Sequence, residues 1–285
     1  MKEFAGKTAV VTGAASGIGL ALSQLFLERD MNVVMADVET QALTGAAQHL
    51  DQGEGRVLAV TTDVGDAASV EVLAEAAYDR FGSVQVLCNN AGVFVGGASW
   101  ENSVADYQWL FDVNVMGIAN GARSFIPRMI EQGDDCHIVN TASMAGLTTL
   151  PFSSIYCLSK AAALHLSECM HKELEAVAPQ IGVSALCPEL IDTGIATARR
   201  NRPAKYSGEG DLTDTDFSKM TEDAAIESTA TGLPPRVMAE RVLAGIEQRK
   251  FYLLAEDFWK DIAEHRLDEI RNEANPTMFF PDGAL

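Results

Sequence analysis

The sequence predicts an α/β fold: a single domain with a doubly wound, seven-stranded parallel sheet and helices on both faces. Three observations carry that reading. Short β-branched or apolar runs alternate with stretches of helical periodicity, and such alternation builds parallel sheets through crossover helices. The first strand passes through a glycine-rich turn directly into a helix. A chain of 285 residues, 47% apolar and 21% charged, is long enough for one full core and has no compositional sign of disorder.

Lys7–Thr12 is the first strand, and Leu20–Leu27 carries an apolar helical pattern. Between them lies Gly13-Ala-Ala-Ser16-Gly17-Ile18-Gly19. Glycines there permit positive φ and close approach of backbone to a ligand, while the free N–H groups of a helix start attract a pyrophosphate, so the turn predicts dinucleotide binding. The second strand, Asn32–Ala36, ends in Asp37, 18 residues beyond Gly19, where a dinucleotide fold places an acid to bind the adenosine ribose. That charge would face the 2′-phosphate of NADP; at an effective dielectric of ~20, two unit charges ~4 Å apart repel by about 4 kcal/mol before screening. Neither Val38 nor Glu39 supplies a compensating base, so NAD is the expected cofactor.

Thr40–Asp51 reads as a crossover helix, Arg56–Thr62 as the third strand and Ala67–Phe81 as the next helix. The fourth strand, Val84–Cys88, runs into Asn89-Asn90-Ala91-Gly92, whose small residues and amides suit a strand end packed on a ligand, or equally an ordinary turn. Val104–Glu131 reads as one long helix carrying Asn114, an amide that needs partners if buried. Cys136–Thr141 is the fifth strand and delivers Ser143. A further helix contains Tyr156 and Lys160 and continues through Ala161–Met170. Residues four apart share a helix face, and a phenol beside an ammonium would titrate below its usual ~10, which makes Tyr156 a candidate acid and base. Taken alone, that spacing is also common on helix surfaces.

Ile181–Cys187 is the sixth strand and ends at Pro188. Residues 194–235 are polar and weakly periodic, as a lid over a site or a mobile surface loop would be. Arg236–Glu247 is helical, Phe251–Leu254 is the seventh strand, and Asp257–Arg271 is an amphipathic helix within a C-terminal extension, residues 256–285. The aromatics of Pro276–Pro281 are expected to dock on the fold.

A formal charge of −19 opposes nucleic-acid and anionic-membrane partners. The N-terminus has no apolar signal core and no apolar run approaches the ~20 residues of a spanning helix, so a cytoplasmic protein is expected. The five cysteines, Cys88, Cys136, Cys157, Cys169 and Cys187, are scattered and read as reduced core residues. His165, Cys169 and His171 lack a recognisable zinc spacing, and no metal is expected.

Together these stretches resemble the short-chain dehydrogenase/reductase family from Thr12 to about Leu254. Five motifs occur in the family's order and spacing: Thr12-Gly-Ala-Ala-Ser-Gly-Ile-Gly19, Asp63-Val64, Asn89-Asn-Ala-Gly92, Ser143, and Tyr156-x-x-x-Lys160. The resemblance implies a Rossmann-type, NAD-dependent alcohol dehydrogenase or ketone reductase in which the hard chemistry belongs to the cofactor. Tyr156 would be the general acid/base, Lys160 would lower its pKa and hold the nicotinamide ribose, and Ser143 would hydrogen-bond the substrate oxygen. Asn114 would anchor a water that relays protons to Lys160. Gly13, Ser16, Gly17, Ile18 and Gly19 would hold the pyrophosphate, Asp63 and Val64 the adenine, and Asn90, Ala91 and Gly92 the adenosine ribose. Pro188, Ile191 and Thr193 keep the family's positions beside the nicotinamide, whereas Glu189 stands where a glycine is usual. Glu189 is either a solvent-facing carboxylate or, turned inward, a ligand for a substrate hydroxyl. A homodimer or homotetramer built on the helices at about 104–131 and 153–177 is also implied.

The segments expected to border the substrate are apolar: Val93, Phe94 and Val95, then Met144, Leu147, Leu150 and Phe152, and Ile195. Such a lining suits a small-molecule secondary alcohol or ketone with an apolar or aromatic body better than a free sugar. A looser similarity, in His137–Thr148 and Asn201-Arg-Pro203, is to bacterial dehydrogenases of benzylic alcohols in lignin-derived aryl ethers. Two other functions share the fold, a catalytically idle dinucleotide sensor and a nucleotide-sugar epimerase or dehydratase. The intact Ser143, Tyr156, Lys160 and Asn114 weigh against the first, and the glycine spacing against the second.

Overall fold

A computed structural model describes residues 1–51, 53–206 and 215–279. The strands are β1 (Thr8–Thr12), β2 (Asn32–Asp37), β3 (Val57–Thr61), β4 (Val86–Asn89), β5 (Cys136–Thr141), β6 (Ile181–Leu186) and β7 (Tyr252–Leu253). They form one parallel sheet in the order β3-β2-β1-β4-β5-β6-β7. Strand order reverses between β1 and β4, which opens a crevice beyond their C-terminal ends. In register, Thr12 lies beside Ala36, Asn89 beside Asn140, and Thr141 beside Leu186, so the residues that follow each strand emerge along one rim. The central strands β1, β4, β5 and β6 are buried throughout between two helical layers, with polar His137, Asn140 and Ser184 among their buried residues.

The helices are α1 (Gly17–Glu28), α2 (Thr40–Asp51), α3 (Ala67–Phe81), α4 (Val104–Phe111), α5 (Gly117–Gln132), α6 (Ser154–Val177), α7 (Asp216–Ala230), α8 (Pro235–Gln248) and α9 (Asp257–Arg271). Leu22 and Phe26 of α1, Leu43 of α2 and Val242 of α8 share one core with one face of the sheet. Leu73 of α3, Phe125 of α5, Leu164 of α6 and Ala263 of α9 cover the other.

Three expectations are corrected. The helix read over Val104–Glu131 is broken by a π-turn at Asp112–Met116, which holds Asn114 inward at 1% exposure; the inserted residue is invisible to a period of 3.6. Residues 194–235, read as lacking strong structure, form 3-10 turns at Gly194–Asn201 and Ala204–Tyr206, then α7; residues 207–214 lie outside the described set. Only Ser218 of α7 is fully buried, so little apolar periodicity marks it. Cys169, read as a core residue, is exposed on α6, while the other four cysteines are buried. The tail does dock: Phe279 stacks on His265 at 4.4 Å and Thr277 donates its N–H to Glu269, both on α9, whereas Phe280 and Pro281 are outside the described residues. Among the described residues no helix is long and apolar enough to cross a membrane.

Candidate active site

A cavity of about 710 Å³ lies beyond the C-terminal ends of the strands. Every residue assigned from sequence to cofactor or catalysis lines it, except Gly19 and Asn114, which stand behind the wall.

At one end the glycine loop and the end of β4 are a single bonded unit. Gly13 has φ +65°, and a Cβ there would lie 2.9 Å from the Ala91 Cα; a Cβ on Gly19 would strike the Gly13 carbonyl oxygen. The Thr12 hydroxyl oxygen accepts the N–H groups of Asn90 (2.9 Å) and Ala91 (3.0 Å), and the Asn90 amide donates back to the Thr12 carbonyl (3.0 Å). Ser16 N-caps α1 in an extended conformation without a side-chain bond, which leaves the cap side of α1 to a ligand anion. Asp37 is fixed by the Ala15 N–H on Oδ2 and the Glu39 N–H on Oδ1, each 3.0 Å, with lone pairs left for ribose hydroxyls. This cradle fits a dinucleotide.

Sequence reasoning missed a base near that acid. Arg200 Nη2 lies 2.8 Å and Asn201 Nδ2 2.7 Å from Glu39 Oε1, tying the segment after β6 to the end of β2. The Asn201 amide and then the Arg200 guanidinium hold the Glu39 carboxyl below its ordinary range. Arg200 is thereby engaged by Glu39, and its partner lies 161 positions away, too far for a local motif to reveal.

At the centre, Ser143 caps a short 3-10 turn, its Oγ accepting the Ala145 N–H at 3.1 Å, and α6 brings Tyr156 and Lys160 to the cavity. Lys160 is 2% exposed and donates to the Thr141 carbonyl at 2.9 Å; its Nζ stands 5.8 Å from the centre of the Tyr156 ring. The expected acid shift of the tyrosine is absent in this state. Burial pushes the Tyr156 phenol up to about 12 against the downward pull of the Ser143 hydroxyl, and burial draws the Lys160 ammonium down to about 8. The lysine's one bond goes to backbone rather than to the phenol, so it does not offset that desolvation.

Behind them the π-turn sets Asn114 between the Val93 backbone and α6. Its Oδ1 accepts the Val93 N–H (2.8 Å), and its Nδ2 donates to the Val93 carbonyl (3.0 Å) and Ser159 Oγ (3.0 Å). Ser159 in turn donates to the Tyr156 carbonyl (2.8 Å). Asn114 therefore holds the tyrosine's helix to the wall formed by Val93.

At the far end Phe94 meets Tyr156 edge-on, ring centres 5.1 Å apart, and Met144, Leu150 and Ile195 line the space as expected. Three others do not. Val95 is buried beside Trp109, Leu147 packs on the core under α6, and Phe152, at φ +59°, stacks on Phe217 of α7 at 4.7 Å. Ala224 and Ser228 of α7 and Trp259 of α9 take their places. Glu189 is not solvent-facing: it stands on the cavity wall, where its carboxylate pairs with Arg241 at 3.4 Å and accepts the Glu256 N–H at 2.9 Å.

A family model described as short chain dehydrogenase matches residues 7–204. The chain belongs to the short-chain dehydrogenase family. The chain is 30% identical over all of both chains to the CLA biosynthesis dehydrogenase/reductase of Lactiplantibacillus plantarum. It is 31% identical to the C alpha-dehydrogenase of a Sphingobium strain, over 100% of this chain and 92% of that one. A short chain dehydrogenase/reductase of Burkholderia phymatum, solved in complex with NAD, superposes with a TM-score of 0.95 at 39% identity, covering 98% of this chain and 99% of that one. The chain is thus an oxidoreductase of this family with a Rossmann-like, all-parallel sheet.

Proposed function

We propose that this short-chain dehydrogenase interconverts a secondary alcohol and a ketone bearing an apolar or aromatic body, with NAD as cofactor and Tyr156 as acid and base. One observation carries the reading: Ser143, Tyr156 and Lys160 face a single cavity whose one end is the glycine cradle with Asp37 and whose other end is apolar. Bound NAD supplies the hydride acceptor for oxidation, and NADH the donor for reduction. The chain does the rest. Gly13, Ser16, Gly17 and Ile18 hold the pyrophosphate, backed by Gly19. Asp37, Asp63, Val64 and Asn90–Gly92 hold the adenosine half, and Lys160, Pro188, Ile191 and Thr193 the nicotinamide half. Ser143 Oγ donates to the substrate oxygen. In reduction the Tyr156 Oη gives its proton to that oxygen as the carbonyl carbon takes up hydride and becomes a carbinol; in oxidation the phenolate takes the hydroxyl proton as the carbinol hydrogen leaves with the C–H electron pair. The NAD assignment is supported by two carboxylates at the adenosine end, Asp37 and Glu39, the second engaging Arg200. The C alpha-dehydrogenase relative supports dehydrogenation at a hydroxyl-bearing carbon.

In this reading the chain is one cytoplasmic domain, with 194–235 as its lid and 256–285 as an extension. It assembles as a homodimer or homotetramer through the faces where Ile130 of α5 and Leu158 and Val177 of α6 are exposed. The test is NADH formation with a panel of aromatic and aliphatic secondary alcohols, repeated with NADP. Turnover of apolar alcohols, at least about tenfold better with NAD, is expected. Silence across the panel in both directions, with NADH still binding, would instead indicate a sensor.

A further inference from the structure

We infer that Glu189 fixes α9 as one wall of the substrate compartment and that Trp259, on that wall, sets the preference for a flat apolar group beside the carbinol. The inference deepens the alcohol–ketone reading and rests on it. Glu189 directly follows Pro188, whose carbonyl accepts the Met144 N–H at 3.0 Å and the Ser143 hydroxyl at 3.5 Å. Its side chain is 6% exposed and turns to α8 and α9. Oε1 stands 3.4 Å from both Nη1 and Nη2 of Arg241, and Oε2 accepts the Glu256 N–H at 2.9 Å. Arg241 also donates to the Leu254 carbonyl at 2.8 Å. One ion pair therefore grips the backbone at two points just before α9.

Glu256 is the N-cap of α9, yet its own side chain makes no capping bond. The Glu189 carboxylate accepts the N–H of that cap residue and adds to the negative charge of Asp257 in the first turn, where it is favourable. A carboxylate so withdrawn from water is costly to leave without its partners, so the grip specifies one position for the helix. One turn on, Trp259 donates its N–H to the Glu256 carbonyl at 3.2 Å, and its indole packs on the core while lining the cavity that holds Tyr156. An indole offers a broad flat face for stacking an arene, which an aliphatic chain uses less well. Glu189 acts through Trp259 and is a positioning residue; it touches no reacting atom.

The test compares kcat/KM for an aromatic and a small aliphatic secondary alcohol in wild type, Trp259→Ala, Trp259→Phe, Glu189→Ala and the Glu189→Ala/Trp259→Ala double variant, with NADH affinity read by fluorescence. Trp259→Ala should lower the aromatic-to-aliphatic ratio by about tenfold, mainly through KM, with Trp259→Phe restoring most of it and NADH affinity moving less than about twofold. Glu189→Ala should shift the ratio in the same direction, and the double variant should add little to Trp259→Ala alone. An unchanged ratio in Trp259→Ala, or additive losses in the double variant, overturns the inference. Wild-type silence toward both alcohols would refute the alcohol–ketone reading itself, whereas wild-type turnover with an unchanged Trp259→Ala ratio overturns only this wall.

Discussion

Tyr156 and Lys160 share a face of α6, as their spacing requires, yet their ionisation in the free protein is governed by burial rather than by each other. The phenol therefore stays protonated through the neutral range, the form that donates to a ketone. A difference titration of tyrosinate absorbance between wild type and Tyr156→Phe, without cofactor, should show no extra ionisation below about pH 10. A phenol titrating near neutrality would instead mean that the lysine alone activates it. That Asp37, Ser143, Tyr156 and Lys160 meet at one cavity was legible in the sequence, because each stands at a strand end or in a short motif at the spacing a dinucleotide site uses. Glu189 was not legible: its partners are Arg241, 52 positions on, and the backbone of Glu256, 67 positions on. Arg200 was hidden in the same way.

Among the elements, the π-turn Asp112–Met116 does what neither flanking helix could: it points an amide into the sheet-side wall and joins Val93 to α6 through Ser159. Asn114→Ala would strand the Val93 N–H and carbonyl, both buried, and remove the Ser159 bond. At ~1–3 kcal/mol per buried orphan, a loss on the order of 3 kcal/mol in urea unfolding is expected. A loss under about 1 kcal/mol would show that the wall is held by packing instead. Periodicity gave one helix across this turn and Asn114 stood out as an amide among apolar residues, but the turn itself left no pattern. Helix α7 escaped for a different reason, since it covers the cavity with Ala224, Ala225 and Ser228 rather than with an apolar stripe. The seven strands were legible in number because short β-branched or apolar runs alternate with helical stretches, although β3 and β7 are only partly buried.

At the scale of the whole molecule, the sheet holds a histidine that stability depends on. His137 of β5 is fully buried, shares a 2.7 Å bond with Ser184, and is pushed by burial down to about 3. Its folded pKa lies below the ordinary ~6.5, so between the two values only the unfolded chain takes up the proton, and stability present above ~6.5 is lost as pH falls. Urea unfolding of wild type should lose about 1 kcal/mol more per pH unit than His137→Gln between roughly pH 6 and 4. Parallel curves for the two proteins would show that carboxylates alone set the acid limit. Sheet, cradle and apolar compartment converge on one phenol. The most direct test of proton transfer by Tyr156 is single-turnover hydride transfer in Tyr156→Phe with NAD and an aromatic secondary alcohol, alongside NADH binding. The expected result is a rate lower by at least about a thousandfold with NADH affinity within about twofold of wild type. A rate within about tenfold of wild type would contradict it.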